Sequence, residues 1–256
     1  MNHPHTILIT GASSGIGAAL AEGYAAAGGT LILTARNAAR LEAVAERCRA
    51  RGAIVHTALI DVREREQLAQ FLTDMDTKCP IDLVIANAGV SGGSEGGVER
   101  ERQARIIFDT NLTGVLNTIH PLIPRMSARG AGHIAIISSL AGIVALSPAP
   151  AYSASKAAVR YYGDALRGLL RRHGVAVSVV CPGYITTPMT DANRFFMPFI
   201  MPVERAAMRI KAALDKKQAH IFFPRRLYAA LWLLSFLPHR LRDFIFDSAP
   251  AKQRII

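Results

Sequence analysis

TILITGASSGIG (Thr6–Gly17) decides the fold. A short apolar run, TILIT, meets three glycines, and AALAEGYAAAG (residues 18–28) follows with helix-forming composition until Gly28 and Gly29 stop it. Strand, glycine turn and helix in that order form a phosphate trap. Glycines let the backbone approach a pyrophosphate, and the free N–H groups of the helix start face it. The spacing Gly11-x-x-x-Gly15-x-Gly17 differs from the better-known Gly-x-Gly-x-x-Gly. A tight turn without a ligand is the plain alternative, and its place after the first strand favours a ligand.

The same alternation continues down the chain. TLILTAR (Thr30–Arg36) reads as a second buried strand. At its end an NAD site would carry an acid for the ribose 2′-hydroxyl, whereas here stands Arg36, a planar charged donor suited to a 2′-phosphate. NADP is therefore expected over NAD; the alternative is an arginine that merely opens the next helix. AIVHTALID (Ala53–Asp61) reads as a third strand, with Asp61 either on the ligand side of the sheet or the N-cap of the helix after it. IDLVIA, after Pro80, delivers Asn87, Ala88 and Gly89 to the same edge. SGGSEGG (Ser91–Gly97) is expected to be a flexible loop. A helical pattern then runs from Val98 to about Arg129, interrupted near Pro121 and Pro124. Within it Asn111 is either a buried amide in need of partners or a kink in the helix. Further strands are expected at His133–Ser138, Val175–Val180 and His220–Phe223, with helices reaching from Tyr152 to about His173 and over Val203–Lys217. Continuous apolar strands separated by helices point to an α/β domain with a parallel sheet covered on both faces.

The chemistry gathers between Ser138 and Lys156. Tyr152 and Lys156 are four residues apart on a helical pattern and so share a face. An ammonium near a phenol is expected to lower its pKa, and a Ser139 hydroxyl to orient a reacting oxygen. That set suits interconversion of a carbonyl and an alcohol. Two surface neighbours on a helix are the bland alternative.

Composition sets bounds. The 256 residues are half hydrophobic, ample for one large core. Cys48, Cys79 and Cys181 form neither a disulfide framework nor a metal spacing, and the opening MNHPHTILIT lacks the features of a secretory leader, so a cytoplasmic location is expected. Eight histidines, with His3 and His5 at an end expected to fray, show no ligand spacing, and no metal is expected. The net charge of +11 is spread over helix faces, as at Arg160, Arg167, Arg171 and Arg172. No nucleic-acid reading motif accompanies it. An anionic cofactor or an anionic membrane surface stays open as its partner.

TGASSGIG (Thr10–Gly17), Asp61-Val62, NAG (Asn87–Gly89), Asn111, Ser139, Tyr152-x-x-x-Lys156 and PGYITT (Pro182–Thr187) together resemble the short-chain dehydrogenase/reductase family over about residues 6–190. The resemblance implies a single-domain, doubly wound parallel sheet of about seven strands, a Rossmann fold, over residues 1–223. It also implies roles. Tyr152 would be the acid/base, Lys156 would tune it and bind the nicotinamide ribose, Ser139 would hold the substrate oxygen, and Asn111 would anchor a water of the proton relay. The turn Gly11, Ser13, Ser14, Gly15, Ile16 and Gly17 would line the pyrophosphate, Asp61 and Val62 the adenine, and Asn87, Ala88 and Gly89 the adenosine side. Pro182, Gly183, Ile185 and Thr187 would meet the nicotinamide. Dimers or tetramers are implied as well. Ala86 stands where an Asn is frequent in the family, and Ser14 where many NADP-linked members are basic.

Beyond Asp191 the resemblance fades. The apolar loop Arg194–Pro202, within about residues 190–203, is expected to be a lid over an apolar substrate or to be tucked on the core. Residues 224–256 are expected to form a helical tail, with the apolar run Leu227–Leu237 too short to span a bilayer and flanked by Arg225, Arg226, Arg240 and Arg242. Membrane attachment, a dimer interface and a roof over the substrate pocket all fit that tail. The expected activity is NADP(H)-dependent exchange between a secondary alcohol and a ketone or aldehyde, on a hydrophobic substrate that is steroid-like, lipid-like or aromatic. The rivals are a catalytically silent nucleotide sensor on the same fold and a peripheral membrane protein whose tail is its main functional element.

Overall fold

The computed structural model describes residues 5–26, 28–94, 97–191, 193 and 195–247. His3, two residues of the Ser91–Gly97 loop, Arg194 and residues 248–256 of the tail lie outside them.

β1 (Thr6–Thr10) leads through the glycine turn into α1 (Gly15–Tyr24), and then come β2 (Thr30–Ala35), α2 (Ala38–Arg49), β3 (Ile54–Leu59), α3 (Arg65–Lys78) and β4 (Leu83–Ala86). The second half runs α4 (Glu101–Phe108), α5 (Gly114–Ile119), α6 (Ile123–Arg129), β5 (Gly132–Ile137), α7 (Pro150–Leu170), β6 (Val175–Pro182), α8 (Pro188–Asp191), α9 (Val203–Leu214) and β7 (His220–Phe223). Two further helices, α10 (Arg225–Ser235) and α11 (His239–Asp247), complete the described chain. All seven strands are parallel, in the order β3-β2-β1-β4-β5-β6-β7. Each crossover therefore carries a helix onto one face or the other, and the strand order reverses between β1 and β4, where such sheets open a ligand crevice.

Alternate residues of one strand feed two cores. Ile7 and Ile9 pack with α1, α2 and α9, whereas Leu8 faces Leu68 and Leu72 of α3. The edge strand β3 is the exception, with Ile54 and Leu59 exposed. The long helix expected after Val98 is broken as the prolines require. Pro121 ends α5, whose ring nitrogen has no N–H to continue the ladder, and Pro124 sits in the first turn of α6 where none is needed. Between α4 and α5, Asp109–Thr113 makes a π-helical turn, one residue wider than an α turn. Asp61 is not the cap of α3, which starts at Arg65 with Glu64 before it.

Candidate active site

A cavity of about 840 Å³ lies along the C-terminal ends of the strands. Of the expected residues, Gly11, Ser13, Ser14, Gly15, Ile16, Arg36, Asp61, Val62, Asn87, Ala88 and Gly89 line one part, and Ser139, Tyr152, Lys156, Pro182, Gly183, Ile185 and Thr187 the other. Gly17 and Asn111 do not reach it; both stand behind the wall and shape it.

The glycine turn is held from behind. Asn87 Nδ2 donates to the Thr10 and Gly11 carbonyls at 2.9 and 3.3 Å, tying β4 to the end of β1. A Cβ on Gly17 would lie 2.4 Å from the Gly11 oxygen and 2.5 Å from Asn87 Nδ2, so only glycine lets α1 come this close. Gly11 and Gly15 have φ of +66° and +54°, a region that glycine enters freely. Ser14, the N-cap of α1, makes no side-chain capping bond, and the first turn carries no acid. The positive end of the helix is thus left without a protein anion, and the residues around it face the cavity.

At the end of β2, Arg36 is joined by Asn37 and Arg40, which the sequence reading passed over although their spacing at a helix start was visible. Asn37 caps α2, accepting from the Arg40 N–H at 2.9 Å. Asp61 is gripped by Arg63 (2.7 and 3.1 Å) with Arg36 3.7 Å away. Burial works against its charge, but the hydrogen bonds from Arg63 hold the carboxyl below its ordinary range. Thr110 was also missed. It lines the cavity, and its buried hydroxyl has no partner among the described residues.

Ser139, Tyr152 and Lys156 meet at the other end. Ser139 leaves β5, and its Oγ accepts from the Ala141 N–H at 3.1 Å and is hydrogen-bonded to the Tyr152 hydroxyl. Ser138 Oγ donates to the Lys156 carbonyl (2.7 Å), and Lys156 Nζ donates to the Ile137 carbonyl (3.0 Å), so α7 is locked against β5. The ammonium lies 5.9 Å from the centre of the Tyr152 ring. One expectation is corrected here. Burial pushes the Tyr152 phenol above its ordinary value, and the Ser139 hydrogen bond offsets only part of that. The desolvated wall also acts on Lys156, which burial pushes down to about 8.

Asn111 supplies no free amide. Its Oδ1 accepts from the Val90 N–H at 2.8 Å, while Nδ2 donates to the Val90 carbonyl at 2.9 Å and to Ser155 Oγ at 3.1 Å. The expected buried amide thus finds its partners in the protein. The substrate side is apolar. Phe195 and Pro198 of the loop line it, with the Phe195 ring edge-on to Tyr184 at 6.1 Å, while Phe196 is 86 % exposed. Leu227 and Leu231 of α10 and Phe246 of α11 roof it. The roof reading of the tail is therefore met on its inner face. No helix among the described residues is long and apolar enough to cross a membrane.

A short chain dehydrogenase family model matches residues 5–196. An uncharacterized oxidoreductase of Myxococcus xanthus is 34 % identical over 250 residues, 97 % of each chain. Among solved structures, a short-chain dehydrogenase from Sphingobium yanoikuyae in complex with NADPH superposes with a TM-score of 0.80 at 27 % identity over 95 % of both chains. A bulky-bulky ketone specific alcohol dehydrogenase from Comamonas testosteroni gives 0.78 at 26 % over 93 % of this chain and 96 % of that one. A Mycobacterium paratuberculosis short chain dehydrogenase bound to NAD gives 0.75 at 26 % over 85 % and 95 %.

Proposed function

The chain belongs to the short chain dehydrogenase family of oxidoreductases, and from that premise we propose that it moves a hydride between NADP(H) and a hydrophobic secondary alcohol or ketone. The observation that carries this reading is one continuous cavity with an anion-ready glycine turn and arginines at one end and Ser139, Tyr152 and Lys156 at the other.

The residues present fit a dinucleotide. The uncapped start of α1 would hold the pyrophosphate. Arg36 and Arg40 support NADP because a 2′-phosphate offers what their guanidinium groups bind and the cavity's acid there, Asp61, is already engaged by Arg63. The orphan Thr110 hydroxyl is a polar group awaiting a ligand or water. When bound, the nicotinamide supplies or takes up the hydride.

The chain's own residues handle the oxygen and its proton. Ser139, fixed by the Ala141 N–H, positions the substrate oxygen beside the phenol. Tyr152 stays protonated at neutral pH and gives its proton to that oxygen as alkoxide character develops, or accepts it in the reverse direction. Lys156 keeps positive charge behind the phenol and stabilises the phenolate that forms. Asn111 holds the Val90 backbone, and so the wall beside the reacting atoms. The apolar lining from Phe195, Leu227, Leu231 and Phe246 supports a hydrophobic carbonyl or alcohol over a sugar.

The test is oxidation of NADPH with a panel of hydrophobic ketones, followed at the nicotinamide band. Tyr152→Phe is expected to lower kcat by roughly 10²–10⁴-fold with cofactor binding retained. A wild-type chain that binds NADPH and turns over no carbonyl or alcohol would instead be the nucleotide sensor.

A further inference from the structure

The helices that roof the cavity keep a second face turned outward. In α10, Leu227 and Leu231 line the cavity, while Trp232 and Leu233, with Phe236 at the C-cap about one turn on, stand on the far side. Trp232 and Phe236 are 48 % and 69 % exposed, and their rings meet edge to face at 4.7 Å. After a three-residue link, α11 repeats the pattern with Leu241, Phe244 and Ile245 exposed, Phe244 at 76 %. An uncovered apolar stripe on two successive helices exceeds the scattered apolar residues of an ordinary surface.

The charge around it is mostly positive. Residues 225–247 carry Arg225, Arg226, Arg240 and Arg242 against two acids, Asp243 and Asp247, both in α11. Arg225 and Arg226 occupy the first turn of α10, where the helix dipole favours acids and opposes cations. Neither has an acidic partner among the described residues, so they cost the helix some stability and gain nothing from the fold. Their placement makes sense against an external anion.

We propose that the outer face of α10 and α11 docks on an anionic lipid bilayer, setting the roof of the cavity at the membrane surface so that an apolar substrate enters from the lipid. The apolar stripe would lie at the level of the headgroups, with the arginines on lipid phosphates, as interfacial helices do. Only the delivery of substrate rests on the oxidoreductase reading; the docking itself does not.

Trp232 is the chain's only tryptophan and reports directly on this face. The full chain is titrated with vesicles of phosphatidylcholine alone, and with vesicles in which roughly one third is phosphatidylglycerol. The expected result is a blue shift of the emission and co-sedimentation with the anionic vesicles only, both weakened by salt. At roughly fivefold per arginine, the double variant Arg225→Gln/Arg226→Gln is expected to weaken partitioning roughly 30-fold. Leu233→Glu/Phe236→Glu is expected to abolish it, with turnover of a small water-soluble ketone unchanged, which also shows that the variant is folded. No shift with anionic vesicles, or equal binding to both kinds, overturns the proposal. So does a shift that grows with protein concentration without lipid, the result for a second copy on this face. Vesicle binding without any ketone turnover would sink the oxidoreductase reading and leave the docking intact.

Discussion

Replacing Asn111 by alanine tests whether that side chain is a strut or a reagent. The amide is fully buried in the π turn and spends its donors and acceptor on the Val90 N–H, the Val90 carbonyl and Ser155 Oγ. Asn111→Ala strips both half-buried main-chain groups of Val90 of these partners, at about 1–2 kcal/mol each, and deletes a third, buried bond worth about 1 kcal/mol. The expected loss is therefore about 3–5 kcal/mol. For a chain of this size each kcal/mol moves Tm by roughly 2–4 °C, so the variant should melt roughly 6–20 °C lower. Asn111→Asp keeps the acceptor, loses both donors and places a carboxylate beside the Val90 carbonyl; it should be at least as damaging. Thermal melts and hydrogen exchange at the Val90 amide supply the measurements. A Tm within roughly 2 °C of wild type together with a collapsed kcat would refute the strut, and would mean that Asn111 acts on the reacting atoms instead.

Other outcomes follow from single side chains. Phe195 lines the cavity and Phe196 does not, so Phe195→Ser should raise KM for long-chain ketones more than for short ones, and Phe196→Ser should change neither. Arg36→Gln/Arg40→Gln should raise KM for NADPH by roughly 10²-fold or more, at a lost charge-assisted hydrogen bond of about 1.5–3 kcal/mol each, and leave KM for NADH nearly unchanged; equal effects on both would deny these arginines a 2′-phosphate. His133, buried in β5, has its Nε2 2.7 Å from Ser178 Oγ, whose own proton goes to the Gln218 carbonyl, so Nε2 carries the hydrogen. Burial pushes its pKa down to about 4. Because the unfolded chain takes up this proton first, the stability from a neutral His133 is complete above about 6.5. It should fall by about 3 kcal/mol as pH drops to 4, and urea melts of His133→Gln should lack that portion of the pH dependence.

Much of the framework was readable from residue order. Apolar runs alternating with helical patterns located the strands, and the Tyr152–Lys156 spacing found one wall of the chamber. Local pattern failed where long-range packing decides. The π turn at Asp109–Thr113 carries no signature of its own, and only the approach of Val90 shows why the amide of Asn111 is there. The pKa of Tyr152 was misjudged because helical spacing reports the ammonium's proximity but not the burial that raises the phenol. Arg40 and Thr110 were overlooked since a residue's view into a cavity depends on how the next strand is placed. The tail was left with three meanings because one helix can use two faces, and a sequence does not say what stands behind each.

The reversal of strand order between β1 and β4 divides labour within the molecule. On the proposed function, loops after β1 to β4 would tend the coenzyme, the segment after β6 would meet both nicotinamide and substrate, and that after β7 would shape what is reduced or oxidised. Selectivity is thereby modular: exchanging residues 188–202 and 224–247 for those of a relative should retarget the catalyst to a new alcohol while its reductant stays the same.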